Sequence, residues 1–280
     1  MSDRTDVVYQ YDGSFEGLLC CVFRAFYRRE DPLAIFPEGG DQTTFLQTVT
    51  VDTEPEKADR VLRSIPAKLG TDALYCVELS FLSCMEEKEL AILAFLRLGY
   101  QKGSAVMRML TEPCVHSVIT AARSVSGEAH LFKGFVRFSE YGGALAAEIT
   151  PKNHVLPLLG RHFQLRIPEQ SFLIFDRSRR LALVCSGGQS MILPMEQAQL
   201  PAPSERELFY RRLWTRFYDA VGIESRTNPK CRMTHMPKRY WADMTEFQPE
   251  NRPGTLPEAG RRSAAAPTVE HPAETAVRRL

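Results

Sequence analysis

Residues 226–241, RTNPKCRMTHMPKRYW, carry Arg226, Lys230, Arg232, Lys238 and Arg239 and no acid. His235, Tyr240 and Trp241 are interleaved with these cations. Cationic side chains pair with phosphate oxygens and aromatic faces stack on bases, so this combination has the chemistry of a nucleic-acid grip. A structural strap competes with that reading: Met233, Met236, Tyr240 and Trp241 would pack on a core and leave the cations solvated. Both hold together if the rings anchor the segment while Lys238 and Arg239 face a ligand. Asn228-Pro229 and Met236-Pro237 interrupt any long helix, which predicts an ordered loop with a short terminal helix.

Two further groups of cations extend the same chemistry. Arg137 stands between Val136 and Phe138 in a run that reads as a strand. There it either pairs with Glu128, Glu148 or Asp176 or grips a phosphate or carboxylate. Arg177, Arg179 and Arg180 occupy a turn, solvated or reaching a backbone phosphate from a sheet edge. Acid–base candidates are Glu128, His130, His154, Asp176 and His235, and the sequence does not pair them. His154 and His162 are poorly spaced for a metal on a helix, where i, i+4 is usual and Leu158 occupies that place. No metal or cofactor is expected. GxSxG, HExxH and P-loop motifs are absent. The seven cysteines form no CxxC pair and no CxxxCxxC cluster motif, and they read as reduced core thiols.

At 280 residues and 44% hydrophobic content, one large domain or two small ones are possible. Net charge is only +1, so the basic character is local. No cleavable apolar leader opens the chain and no apolar run approaches the roughly 18 residues of a membrane span. A cytoplasmic protein without membrane contact is expected.

The elements that must position these residues follow from periodicity. A strand over 7–11 precedes a helix over 15–29, whose apolar residues recur at i, i+3, i+4 and i+7. The junction Asp12-Gly13-Ser14-Phe15-Glu16-Gly17 reads as a helix cap or as a helix start receiving phosphate. A strand over 45–51 and a capping box at 53–56 lead into a helix that Pro66 kinks or ends. Helices are predicted over 71–83, 87–99, 103–111 and 113–125. Strands over 132–139 and 144–149 then flank Tyr141-Gly142-Gly143, a short helix follows, and a second hairpin pairs 172–176 with 181–186. A last strand is expected at 191–193. Ser204-Glu205-Arg206-Glu207 caps a helix to about 221 with Phe209, Leu213, Phe217, Ala220 and Val221 on one face.

The predicted fold is α+β, a helical N-terminal half packed on an antiparallel sheet built from two hairpins, a ββαββ-like unit. The expected parts are a mainly helical 1–127, an antiparallel α+β part over 128–248 with the basic segment, and a disordered tail over 249–280 rich in Pro, Ala, Arg and Glu.

Five phrases together resemble one bacterial family. They are YDGSFEGLLCCVF (11–23), EAHLFKGFVRF (128–138), NHVLPLLGRHF (153–163), FLIFDRSRR (172–180) and NPKCRMTHMPKRYW (228–241). The family is a domain of unknown function described as DNA-repair or DNA-metabolism proteins. Its members are encoded beside radical-SAM DNA-modification or repair proteins and are sometimes fused to uracil-DNA-glycosylase-like domains. The resemblance covers about residues 7–245. It implies an accessory protein that binds DNA and works with a radical-SAM partner, the partner carrying the iron–sulfur chemistry. On this reading Arg137, Arg177, Arg180, Lys230, Arg232, His235, Lys238, Arg239, Tyr240 and Trp241 form the nucleic-acid surface. An enzyme acting on a damaged or flipped base, and a protein-interaction subunit without DNA contact, stand as alternatives. A cleft joining His130, His154, Asp176 and His235 would favour the enzyme; an exposed apolar patch would favour the interaction subunit.

Overall fold

The computed structural model describes residues 7–39, 47–198, 200–223 and 228–251. Strand β1 (Val7–Tyr11) is buried on both faces, as the middle strand of a parallel sheet requires. Its neighbours are β2 (Ala34–Pro37) and β3 (Gln47–Thr50), both parallel to it, and α1 (Phe15–Arg28) links β1 to β2. The N-terminal half is therefore not purely helical.

Local chemistry fixes the β1–α1 junction. Ser14 Oγ accepts the Gly17 N–H at 2.9 Å, and Asp12 Oδ1 accepts the Ser14 N–H and hydroxyl at 2.9 and 2.6 Å. A Cβ on Gly17 would lie 2.2 Å from Asp12 Oδ1, so glycine is needed for this approach. The chain's own carboxylate fills the place in which a phosphate was considered. Thr53 donates to Asp12 Oδ2 at 2.8 Å instead of capping the next helix. That helix, α2 (Pro55–Leu69), starts without a side-chain cap and continues through Pro66 to its end.

Helices α3 (Thr71–Phe81) and α4 (Lys88–Lys102), a 3-10 turn (Gly103–Arg108) and α5 (Pro113–Phe135) complete the helical part. Leu18, Ile65, Phe95, Leu96 and Val118 are central to the first core. Helix α5 overturns the strand predicted over 132–139. Val125, Ala129 and Phe132 continue its buried face at helical spacing, and Phe135 packs against Tyr240, 5.3 Å between centroids. Tertiary packing overrides the alternating pattern, and β4 is only Ser139–Tyr141.

The second sheet has the order β4-β5-β6-β7-β8, with β5 (Ala144–Ile149), β6 (Phe172–Asp176), β7 (Leu181–Ser186) and β8 (Gln189–Pro194). It is mixed, not antiparallel. Helix α6 (Leu156–Arg166) carries the chain back so that β5 and β6 run parallel, Leu145 opposite Phe172. A second core forms from Ile149, Leu159, Phe163, Phe172 and Tyr240. Then come α7 (Glu205–Ala220), α8 (Pro229–His235) and three 3-10 turns, Lys238–Asp243, Thr245–Phe247 and Pro249–Asn251. In the last of these Asn251 is buried and donates to the Thr245 carbonyl at 3.1 Å. The expected tail beyond residue 251, and Arg226, lie outside the described residues. Among the described residues no helix is long and apolar enough to cross a membrane.

Candidate nucleic-acid interface

The segment after α8 is clamped to the second core by two buried carboxylates. Tyr240 is 1% exposed, and its ring meets Phe132 edge-on at 5.1 Å. Its hydroxyl donates to Glu128 Oε1 at 3.4 Å, and Arg239 Nη2 lies 3.0 Å from the same oxygen. The Arg239 guanidinium also sits 4.4 Å from the Tyr240 centroid. Glu128 projects inward from α5 and further accepts the N–H groups of Lys152 (3.0 Å) and Asn153 (2.7 Å) and the Asn153 amide at 2.7 Å. Asn153 in turn accepts the Cys84 N–H at 3.0 Å, which ties the loop after β5 to the helical part.

Glu246 is the second clamp. Arg137 Nε and Nη2 grip it at 3.0 and 2.6 Å, and Trp214 Nε1 donates to it at 3.0 Å. Burial is the largest single influence and would raise its pKa, but the hydrogen bonds from Arg137, its own backbone N–H and Trp214, together with the Arg137 charge, outweigh burial and hold it below its ordinary value. Arg137 thus lies beyond the end of α5 rather than on a strand, and its partner is none of the acids expected from the sequence.

The arginines of the β6–β7 turn are also engaged. Arg177 bridges Glu148 and Asp243, Arg179 meets Asp176 at 3.2 Å, and Arg180 meets Glu196 at 2.8 Å in a solvent-exposed pair. Burial pushes Asp176 and Asp243 up, opposed by Arg179 and Arg177 respectively.

The remaining cations face solvent. Helix α8 buries none of its residues, and Lys230, Arg232, His235 and Lys238 are all exposed. Asn228 caps the helix by accepting the Cys231 N–H at 3.0 Å. Trp241 is half-buried and stacks on Phe247 at 4.4 Å with an 11° interplanar angle. The Arg232 guanidinium is 5.1 Å from the Trp241 centroid. Strap and cationic surface therefore coexist: Arg239 and Tyr240 hold the segment, and α8 with Lys238 presents charge.

The acid–base candidates divide. Glu128, His154 and Asp176 surround the loop after β5, while His130 and His235 are exposed elsewhere. None of the five lines any of five grooves of about 220 to 650 Å³. His154 donates its backbone N–H to the Leu82 carbonyl at 2.8 Å, and its buried Nδ1 has no hydrogen-bond partner. Burial, then Arg179 and Lys88, lowers its imidazole pKa from 6.5 to about 4. The folded protein thus holds a neutral ring whose unfolded counterpart takes up a proton below pH 6.5. The stability this carries is complete above pH 6.5 and is lost as pH falls through 4. Wild type is expected to lose ~3 kcal/mol more than His154→Gln between pH 7 and pH 4. Urea unfolding across that range measures it; parallel pH curves would exclude this assignment.

One surface was not legible from the sequence. The face of α7 that carries Phe209, Leu213 and Phe217 is exposed, together with Tyr210 and Trp214. Periodicity shows that a helix is two-faced; it does not show what covers the apolar face. The arginines interleaved along it (Arg206, Arg211, Arg212, Arg216) were the available signal.

No curated protein matches this chain, and no solved structure does. A family model for a domain of unknown function, DUF4130, matches residues 86–246, more than half of the sequence. The matched stretch takes in α4 to α8 and both clamping carboxylates, Glu128 and Glu246, so the strap lies within it, and the chain is a member of the DUF4130 family.

Proposed function

We propose that this chain is a nucleic-acid-binding accessory protein of DNA repair or modification that works with a radical-SAM partner. The observation that carries the binding reading is the fully solvated helix α8, with Lys230, Arg232 and His235 exposed and Lys238 just beyond it. The stretch 228–242 contains no acid to neutralise them internally. Such an array releases counterions from a phosphate backbone, with affinity falling linearly in the logarithm of salt. Arg137, Arg177 and Arg239 are paired with Glu246, Asp243 and Glu128 and do not add to its charge. The radical-SAM partner and the repair setting rest on the family resemblance of the quoted phrases.

Anisotropy titrations of single- and double-stranded DNA over a salt series test the binding reading. Lys230→Ala and Lys238→Ala together are expected to reduce the salt slope by ~2, one phosphate each, while the melting temperature stays within a degree or two because both side chains are exposed. An unchanged slope would remove α8 and Lys238 from any phosphate contact. Arg239 is unsuitable for this test, since its loss breaks the bridge to Glu128.

A further inference from the structure

Helix α7 packs inward through Glu207 and Thr215 and leaves a large apolar surface outward. Phe209, Tyr210, Leu213, Trp214 and Phe217 are each 39–57% exposed. Four of these (Tyr210, Leu213, Trp214 and Phe217) and Phe138 line an open groove of about 650 Å³ together with Thr245 and Arg137. A contiguous apolar surface of this kind on a folded protein marks a place where another apolar surface seats. Its geometry is that of a ridge: residues 209, 213, 217 and 221 recur at i, i+4, the row that interdigitates with a crossing helix.

The rim chooses the occupant. Arg206, Arg212 and Arg216 are exposed beside the ridge, and Glu207 is buried against Arg211 at 2.8 Å. The acids Glu205 and Asp219 stand only at the two ends of the helix. Two copies of this face would bring Arg212 and Arg216 towards their symmetry mates, which opposes a dimer through α7. Unpaired bases would need open ring faces. Here aliphatic Leu213 and Val221 occupy half of the ridge, Trp214 is tied to Glu246, and the Arg137 guanidinium lies 5.3 Å from the indole centroid.

We infer that the α7 face receives an amphipathic helix of a partner protein, with apolar side chains repeating every three to four residues and carboxylates on both flanks. The apolar repeat fills the groove between the α7 ridge and Phe138. The carboxylates pair with Arg206, Arg212 and Arg216. This groove shares no lining residue with the one that Arg232 and Trp241 line.

The full-length chain tests this with a synthetic acidic amphipathic peptide of about 18 residues and a twin in which every Glu is Lys. The acidic peptide is expected to bind at least about tenfold more tightly than its twin. Leu213→Glu is expected to weaken it by more than about tenfold, because the new carboxylate sits in the apolar contact and faces the peptide's own acids. Circular-dichroism melting of Leu213→Glu should match wild type, since the side chain is half exposed already. A benzoylphenylalanine placed at position 213 then identifies the occupant: adducts on the acidic peptide support the assignment. Equal binding of the two peptides, or full retention by Leu213→Glu, would overturn it. So would adducts confined to a second copy, to the chain's own residues 252–280, or to an added oligothymidine.

Discussion

Glu128→Ala is expected to destabilise the protein by ~3–5 kcal/mol, the range for removing one partner of a buried ion pair. The carboxylate receives two backbone N–H groups, the Asn153 amide, the Tyr240 hydroxyl and the Arg239 guanidinium. Alanine leaves the N–H groups of Lys152 and Asn153 without acceptors and Arg239 without its counter-charge. Glu128→Gln keeps the volume but turns a donor towards Asn153, so it should fall between alanine and wild type. A double-mutant cycle with Arg239→Ala should return a coupling of ~1–3 kcal/mol. Urea unfolding reads both numbers, and a loss under about 1 kcal/mol for Glu128→Ala would show that water replaces the carboxylate without penalty.

Tyr240→Ala should cost a similar ~3–5 kcal/mol, for a different reason. Its ring fills the space between Phe132 and Phe135 and is 1% exposed, so truncation opens a cavity in the second core. Tyr240→Phe keeps the ring and should cost less, ~1.5–3 kcal/mol, the hydroxyl's bonds to Glu128 and from Arg239 alone. Trp241→Ala should cost less than Tyr240→Ala, because the indole is half-buried and stacked on one neighbour. If Tyr240→Ala and Lys238→Ala melt alike, the strap is not part of the core.

What the sequence made legible was local. The junction at Asp12 and Ser14, the turn between β6 and β7 and the Ser204 cap each depend on residues within a few positions, and each was readable. Partners far along the chain were not. Arg137 was offered three acids, and the structure gives it Glu246. Arg239 looked like a ligand for phosphate, and Glu128 takes it instead. The parallel pairing of β5 with β6 was missed because alternation fixes a strand's faces, whereas its direction depends on where α6 returns the chain. The two strand residues read at 45 and 46 lie outside the described residues. The prolines predicted an ordered loop with a short terminal helix; the structure has a two-turn helix, α8, with Lys230, Arg232 and His235 exposed on it and Lys238 exposed in the turn beyond.

The long spans across which the strap closes have a consequence for biosynthesis. Glu128 and Tyr240 are 112 positions apart, and Arg137 and Glu246 are 109. At ~5–20 residues per second a ribosome needs roughly 6–20 s between delivering the first of each pair and the second. The first core draws its members from residues 7–119 and has all its partners by then. The sheet β4–β8 does not, and through that interval the apolar socket for Tyr240 stands open on the nascent chain. Core completion is thus expected in two stages, an early one within residues 7–119 and a later one whose last wall arrives with residues 239–246, which makes the interval before that arrival the one in which a chaperone or a premature stop would matter most.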